Sequence, residues 1–284
     1  KDLYIEKSEY FKEQGQYPTI FITLKDTKKN NWEECYSKIK IILRDLYEEH
    51  SYIKDKLSIN EKEEYDKILF KKDDAEYDNA LLNLTKYLYN YYQKKVVLLI
   101  DEYDSPLITA NQFGYYKEAI NFFRDFLSSA LKTNSNLKMG VLTGIVQVAK
   151  EGIFSGLNNV KTYNILGDKF EIFFGLSEEE VEEALKYFEM TYEIEEVKRW
   201  YDGYKFGNSE VYNPWSIVNY LSDRGLQAYW VNTSDNALIY DNLKNSTVDV
   251  FKDLEALFEG KAIKKEISPF FTFEELSKFD GIWQ

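Results

Sequence analysis

Two textures of hydrophobic pattern alternate along the first half of the chain. Short β-branched and aromatic runs occur at residues 19–24, introduced by Tyr17-Pro18 and closed by Lys25-Asp26, and again at residues 139–143, Met139-Gly140-Val141-Leu142-Thr143. Both read as strands. The run Val96-Val97-Leu98-Leu99-Ile100 is apolar without alternation, which predicts a strand covered on both faces, as in a parallel sheet. Between these runs the apolar positions fall three and four apart: Trp32, Tyr36, Ile39, Leu43 and Leu46 or Tyr47; then Tyr77, Leu81, Leu84, Leu88 and Tyr91; then Ile120, Phe123, Leu127 and Leu131 within residues 115–132. Each set predicts a helix with one buried face. Lys94-Lys95 follows the second set, where cations suit a helix C-terminus. Residues 51–74 are charged and poor in apolar positions, which predicts a surface excursion carrying a short helix. Strands that alternate with helices predict an α/β domain with helices on the sheet faces.

After about Gly167 the pattern changes. Ser177 and Glu180 stand three apart ahead of Val181, Leu185 and Phe188, a capping box that opens an amphipathic helix. Asn213-Pro214 supplies an N-cap with proline at the first helical position, starting a helix over 215–220. These signals predict a division into residues 1–167, an α/β core, and residues 168–284, a mostly helical domain without internal repeats. The aromatics Trp200, Tyr201, Tyr204, Tyr212 and Trp215 are expected to form core in that second part, because clustered large rings carry much area to bury.

Composition narrows the chemistry. The 36 basic and 49 acidic residues leave a net charge of −13, which argues against a mainly electrostatic grip on nucleic acid or on an anionic membrane. Residues 177–199 hold nine Glu against three Lys or Arg, so this face is not expected to touch phosphate. With one cysteine, Cys35, and one histidine, His50, the chain has no intramolecular disulfide, no zinc cluster, and no Ser/His or Cys/His machinery needing more than a single imidazole. His50, closing a Glu-rich helix, is expected as a C-terminal cation or cap. No leader opens the chain and no apolar run approaches the roughly 18 residues needed to cross a bilayer, so a cytoplasmic protein is expected. The chain opens at Lys1 and stops at Trp283-Gln284 just after an apolar-periodic stretch. A piece of something longer is the expectation.

Carboxylates are what remain for chemistry. The apolar run to Ile100 ends in Asp101-Glu102-Tyr103-Asp104. In open parallel sheets ligands bind beyond the carboxyl ends of the strands, so acids there sit where a metal and a substrate would be. Acids also end buried strands simply because the chain turns back into solvent, and the local pattern leaves both readings open. Thr143 ends the next strand, and it too is either a functional hydroxyl or a turn residue ahead of Gly144. A phosphate-binding loop would read Gly-x-x-x-x-Gly-Lys-Ser/Thr. Among the thirteen glycines the only Gly-Lys pair is Gly260-Lys261, which lacks both the upstream glycine and the following hydroxyl. Asp253 with Glu259-Gly260-Lys261 faintly imitates a nuclease set, but on a helix and loop.

Six segments occur in a telling order: Tyr17-Pro18-Thr19-Ile20-Phe21-Ile22, Ile100-Asp101-Glu102-Tyr103-Asp104-Ser105-Pro106-Leu107, Gly140-Val141-Leu142-Thr143-Gly144-Ile145, Ile153-Phe154-Ser155-Gly156-Leu157-Asn158-Asn159, Trp200-Tyr201-Asp202-Gly203-Tyr204 and Tyr212-Asn213-Pro214-Trp215-Ser216. Together they resemble the bacterial AAA-ATPase-like family of predicted P-loop ATPases. The resemblance implies an AAA-like P-loop NTPase sheet flanked by helices, followed by a helical lid, with ATP and Mg²⁺ as cofactors. It implies that Asp101 is the metal-side acid of a Walker B element, Glu102 the water-polarising base and Thr143 a sensor. Family members often carry arginine where this chain has Gln147, and Arg124 and Lys150 stand as the alternative cations toward nucleotide. In the family the Walker A loop lies upstream, and many members continue into a nuclease-like domain. The expected partners are nucleotide and either another protein or a second copy, without membrane or direct nucleic-acid binding. The competing expectation is a non-catalytic interaction module on a degenerate ATPase fold. These 284 residues alone are expected to bind MgATP weakly, to be inactive, and to associate.

Overall fold

The computed structural model describes residues 3–146, 160–167, 169–190, 194–230, 243–244, 246–266 and 281–283. They fall into two compact units that meet in sequence between Val160 and Lys161.

The first unit is α/β. Strands β1 (Thr19–Thr23), β2 (Val96–Asp101) and β3 (Leu137–Leu142) form one sheet in the order β1-β2-β3, and both pairings are parallel. The helices are α1 (Trp32–Glu49), α2 (Ile59–Leu69), α3 (Ala80–Tyr92), α4 (Ser105–Phe113) and α5 (Tyr116–Leu131). Asn31 caps α1 by accepting from the Glu34 amide at 2.9 Å, and α3 ends at Gln93 in the left-handed conformation (φ 53°). The excursion over 51–74 does carry a short helix, α2, opened by a Ser58/Glu61 capping box. It is less superficial than its composition suggests: Ile53, Tyr65 and Ile68 are buried, and the Tyr65 hydroxyl donates to the Tyr47 carbonyl.

Pleating puts alternate strand residues on opposite faces. One face, with Ile20, Ile22, Val96, Leu98 and Ile100, joins Ile39, Leu43, Leu84, Leu88, Leu107, Phe123 and Leu127 in a single core. Among the described residues no α-helix covers the other face, where Val97 and Leu99 are half-buried. Register places Thr19, Val97 and Met139 in one row and Phe21, Leu99 and Val141 in the next, and there Phe21 is 58% and Met139 53% exposed. The expectation that β2 is covered on both faces is therefore corrected: among the described residues, α-helices pack on one face only. The uniform apolar run reflected residues suited to burial on both sides, and periodicity carries no information about whether a covering layer is present.

The second unit holds helices α6 (Glu178–Tyr187), α7 (Ile194–Tyr201), α8 (Pro214–Asp223) and α9 (Val248–Phe258), with a hairpin of β4 (Asp202–Phe206) and β5 (Ser209–Tyr212). The capping box of Ser177 and Glu180 and the Asn213 cap ahead of Pro214 are both formed. Its core gathers Val181, Leu185, Met190, Val197, Ile217 and Tyr220. Of the five aromatics expected in that core, Tyr201 and Tyr212 are buried, whereas Trp200, Tyr204 and Trp215 are exposed, Trp215 by 52%. The difference is geometric: on α7 Trp200 lies about 100° round the helix from the buried Tyr201, and on α8 Trp215 lies off the face that buries Ile217, Tyr220 and Leu221. Near the nuclease-like residues, α9 ends at Phe258 and Gly260 turns out of it with φ 76°, leaving Glu259 and Lys261 as a local ion pair. No helix among the described residues is long and apolar enough to cross a membrane.

Candidate functional site

The carboxyl end of the sheet brings three side chains together. In the row after Phe21, Leu99 and Val141, Thr23 stands opposite Asp101 on β2, and Thr143 follows the end of β3. The Thr23 hydroxyl donates to Asp101 Oδ2 at 3.1 Å, and the Thr143 hydroxyl donates to Oδ1 at 2.7 Å. Backbone bonds hold the same ends together: the Leu24 amide donates to the Asp101 carbonyl at 3.0 Å, and the Thr143 amide to the Ile100 carbonyl at 2.9 Å. A carboxylate gripped at both oxygens has one orientation. It stands half-buried at the top of the partly open face.

After Asp101 the chain reverses. Glu102 takes a left-handed conformation (φ 50°), which costs a residue with a Cβ on the order of 1–3 kcal/mol and is found where surrounding structure enforces it. The enforcement is local: Ser105 donates through its amide to the Glu102 carbonyl at 3.1 Å and through its hydroxyl to Glu102 Oε2 at 2.7 Å. Lys28, in the loop after β1, approaches the same carboxylate at 3.9 Å with both groups largely in solvent. The reversal drops Tyr103 and Asp104 beneath the loop that leaves β3. Tyr103 donates its amide to the Thr143 carbonyl at 3.1 Å and its hydroxyl to the Val146 carbonyl at 2.9 Å. Asp104 Oδ2 accepts from the amides of Ile145 at 2.9 Å and Val146 at 2.6 Å. Burial pushes the Asp104 carboxyl above the usual aspartate range; the Val146 and Ile145 amides oppose that shift and the Glu102 charge adds to it.

Asp101 and Thr143 therefore meet, whereas Glu102, next in the chain, turns its carboxylate to Ser105. Arg124 does not join them: on α5 its guanidinium engages Asn121 one turn earlier, at 3.4 Å. Lys150, Gln147 and the segment 153–159 lie outside the described residues. His50 is the C-cap of α1, as expected, its amide donating to the Leu46 carbonyl at 3.4 Å, but its ring is not a solvent-facing cation. It is buried beside Tyr52, whose hydroxyl is 3.3 Å from Nδ1, and burial lowers its pKa despite the nearby Glu49. The residues that sequence reasoning left without a role are Thr23, Ser105, Tyr103 and Asp104. Thr23 could have been found only by aligning two strands 78 residues apart.

The donors around Asp101 are all oxygen: one carboxylate and two hydroxyls. Hard oxygen donors suit Mg²⁺, which keeps much of its water and takes one or two protein carboxylates alongside substrate phosphates. No cluster of three or more His, Cys, Asp or Glu able to hold a metal alone exists among the described residues, and a Mg²⁺ site of this kind needs none. The group fits such an ion only together with phosphate oxygens.

The first unit is thus a parallel α/β sheet with an acidic pair at the end of its central strand and a hydroxyl from the residue after the next strand on the first acid. The family follows from comparison: the model of the AAA-ATPase-like family, described as predicted AAA-ATPase, matches residues 1–154, and the chain belongs to it. A protein of Azotobacter chroococcum mcd 1 described as "Uncharacterized protein in vnfD 5'region" is 25% identical over 151 residues, 53% of this chain and 29% of that protein. The chain thus spans less than a third of the length of that relative. No solved structure matches the chain.

Proposed function

We propose that this chain carries the acid and sensor elements of an ATPase that couples MgATP binding or hydrolysis to conformational change. The observation that supports it most is the Thr23–Asp101–Thr143 row at the carboxyl end of a parallel sheet, with Glu102 next in the chain. In this reading Asp101 is the metal-side acid, Glu102 orients and polarises the attacking water, and Thr143 reads the terminal phosphate. Magnesium bound with ATP supplies charge neutralisation at the phosphates. The residues of the chain do the rest. Asp101 presents one fixed oxygen array, and Thr143 can turn its hydroxyl from Asp101 toward an incoming acceptor. Glu102 must leave Ser105 to act as a base, since its Oε2 is engaged there. The phosphate cradle is not among these 284 residues, so the proposal assigns it to another part of the full-length polypeptide. Arg124 has no part in it.

The test uses the full-length protein. Glu102→Gln should retain MgATP binding and lose turnover, because removing a water-polarising base spares ground-state contacts. Wild-type turnover in that variant removes Glu102 from the role, and a full-length protein that neither binds nor hydrolyses MgATP removes the reading altogether. A second reading, a non-catalytic module that binds a protein partner or its own copy in the cytoplasm, is favoured by the open apolar row of Phe21, Leu99 and Val141. Its signature is concentration-dependent association without nucleotide dependence.

A further inference from the structure

The acid-rich turn after β2 holds a group that the reading above does not use. Asp104 is 1% exposed. It occupies the residue before α4, where an aspartate side chain ordinarily accepts from the first helical amides. Here its backbone angles are φ −89° and ψ −20°, and the side chain makes no cap. Both amides it binds, Ile145 and Val146, belong to the loop after β3 instead. A carboxylate that forgoes a helix cap and is buried at a desolvation cost is held by what it grips, and hydrogen bonds to an ionised acceptor are the stronger kind.

The grip is continuous. Tyr103 and Asp104 together bind Thr143, Ile145 and Val146 through four hydrogen bonds of 2.6–3.1 Å. The residue skipped, Gly144, lies so close that a Cβ there would meet Asp104 Oδ1 at 2.5 Å and Tyr103 Cε1 at 2.9 Å. Residues 143–146, which follow β3, are therefore folded back onto the turn after β2, and Thr143 sits at the crease.

We infer that Asp104 is a positioning residue: by holding the amides of Ile145 and Val146 it folds the loop after β3 and so sets the Thr143 hydroxyl against Asp101. The inference rests on the reading of Asp101 and Thr143 as a phosphate-facing pair for its use in catalysis, but not for its geometry. Both amides bind one carboxylate oxygen, Oδ2, so an asparagine can preserve both bonds and an alanine can preserve neither.

The test follows amide exchange and the Thr143 χ1 couplings by NMR in the 284-residue chain. Asp104→Ala should lower exchange protection at Ile145 and Val146 more than tenfold and average the Thr143 χ1, while Asp104→Asn should retain both. If the alanine variant fails to fold, Tyr103→Phe, which removes the bond to the Val146 carbonyl, should show partial loss at the same residues. A Thr143 χ1 that stays fixed when the loop amides lose protection overturns the inference, as does an alanine or Tyr103→Phe variant with full protection. In the full-length protein Asp104→Ala should lower kcat with little change in KM for MgATP. Absence of hydrolysis in the wild type would count against the ATPase reading while leaving the positioning result intact.

Discussion

Replacing Gly144 by alanine decides whether the crease after β3 is as rigid as its hydrogen bonds imply. Gly144 is not among the positive-φ glycines of the described residues, so backbone conformation alone permits alanine. On that ground the substitution should stabilise the chain by about 0.4–1 kcal/mol through the unfolded state. Space reverses the sign. The new Cβ would lie 2.5 Å from Asp104 Oδ1, 2.7 Å from its Cγ and 2.9 Å from Tyr103 Cε1, and neither neighbour is a free side-chain end, since each is tied to Val146. Displacing Asp104 loosens two hydrogen bonds to an ionised group, each worth roughly 1.5–3 kcal/mol when fully lost. Ile145 is largely in solvent and its amide can recover water, so about one bond is lost in full, for a net destabilisation of roughly 0.5–2.5 kcal/mol. For a unit of this size that lowers the melting temperature by about 1–10 °C. Urea titration of protein labelled with 5-fluorotryptophan reads it cleanly, because Trp32 reports on the first unit and the other four tryptophans lie in the second. In an Asp104→Ala background the same substitution should cost less, since only the Tyr103 contact remains. A Gly144→Ala protein as stable as the wild type would refute the reasoning.

Three further outcomes are expected. The buried His50 has its pKa lowered by burial, so its contribution to stability is present above the ordinary histidine value of about 6.5 and is lost as pH falls through the depressed value. His50→Gln should accordingly show a shallower loss of unfolding free energy between about pH 7.5 and 5 than the wild type, and equal slopes would contradict it. Cys35 is fully buried and its thiol is pushed up to about 11, chiefly by burial; at pH 8 about one thiol in a thousand is ionised, so a disulfide reagent should label it only after denaturant is added. Rapid labelling of the native chain would show that the helix face carrying it opens. In the second unit Trp215→Ala should cost less than about 2 kcal/mol, while Tyr201→Ala, a core truncation, should cost roughly 3–5, and unfolding curves giving the reverse order would put Trp215 back in a core.

The helices over 32–49, 80–92 and 116–131 were legible in the sequence because each buries one face and writes that face into its spacing, and the three strands because of their short runs of β-branched, aromatic and aliphatic residues. The helix over 105–113 was not. Ser105, Pro106, Leu107, Thr109 and Ala110 are all buried, and an element enclosed on most sides has no polar stripe to betray its period. The hairpin over 202–212 was also missed, although Gly207 turns it with φ 55°: its strands are short and mix Tyr204, Lys205 and Tyr212, side chains that serve core and surface alike, with Asp202, Gly203, Ser209 and Glu210.

The same limit governs the site. Acids at the end of a buried strand are visible in one dimension, and Asp101 and Glu102 could be singled out from their neighbours alone. What makes Asp101 more than a strand terminus is Thr23, and that depends on the register pairing Thr23 with Asp101 across the sheet. Asp104 shows the converse. Its position before a helix makes capping the local expectation, and tertiary structure overrides it by offering two amides from a loop more than forty residues away. Local rules rank the partners within reach along the chain, whereas a buried carboxylate is settled by whichever donors stay with it when water leaves. The partly open row of Phe21, Leu99 and Val141 follows from the same reasoning: its residues record a burial for which the sequence pattern names no partner, and the Thr–Asp–Thr row stands at the end of that face, where the proposed function places a phosphate.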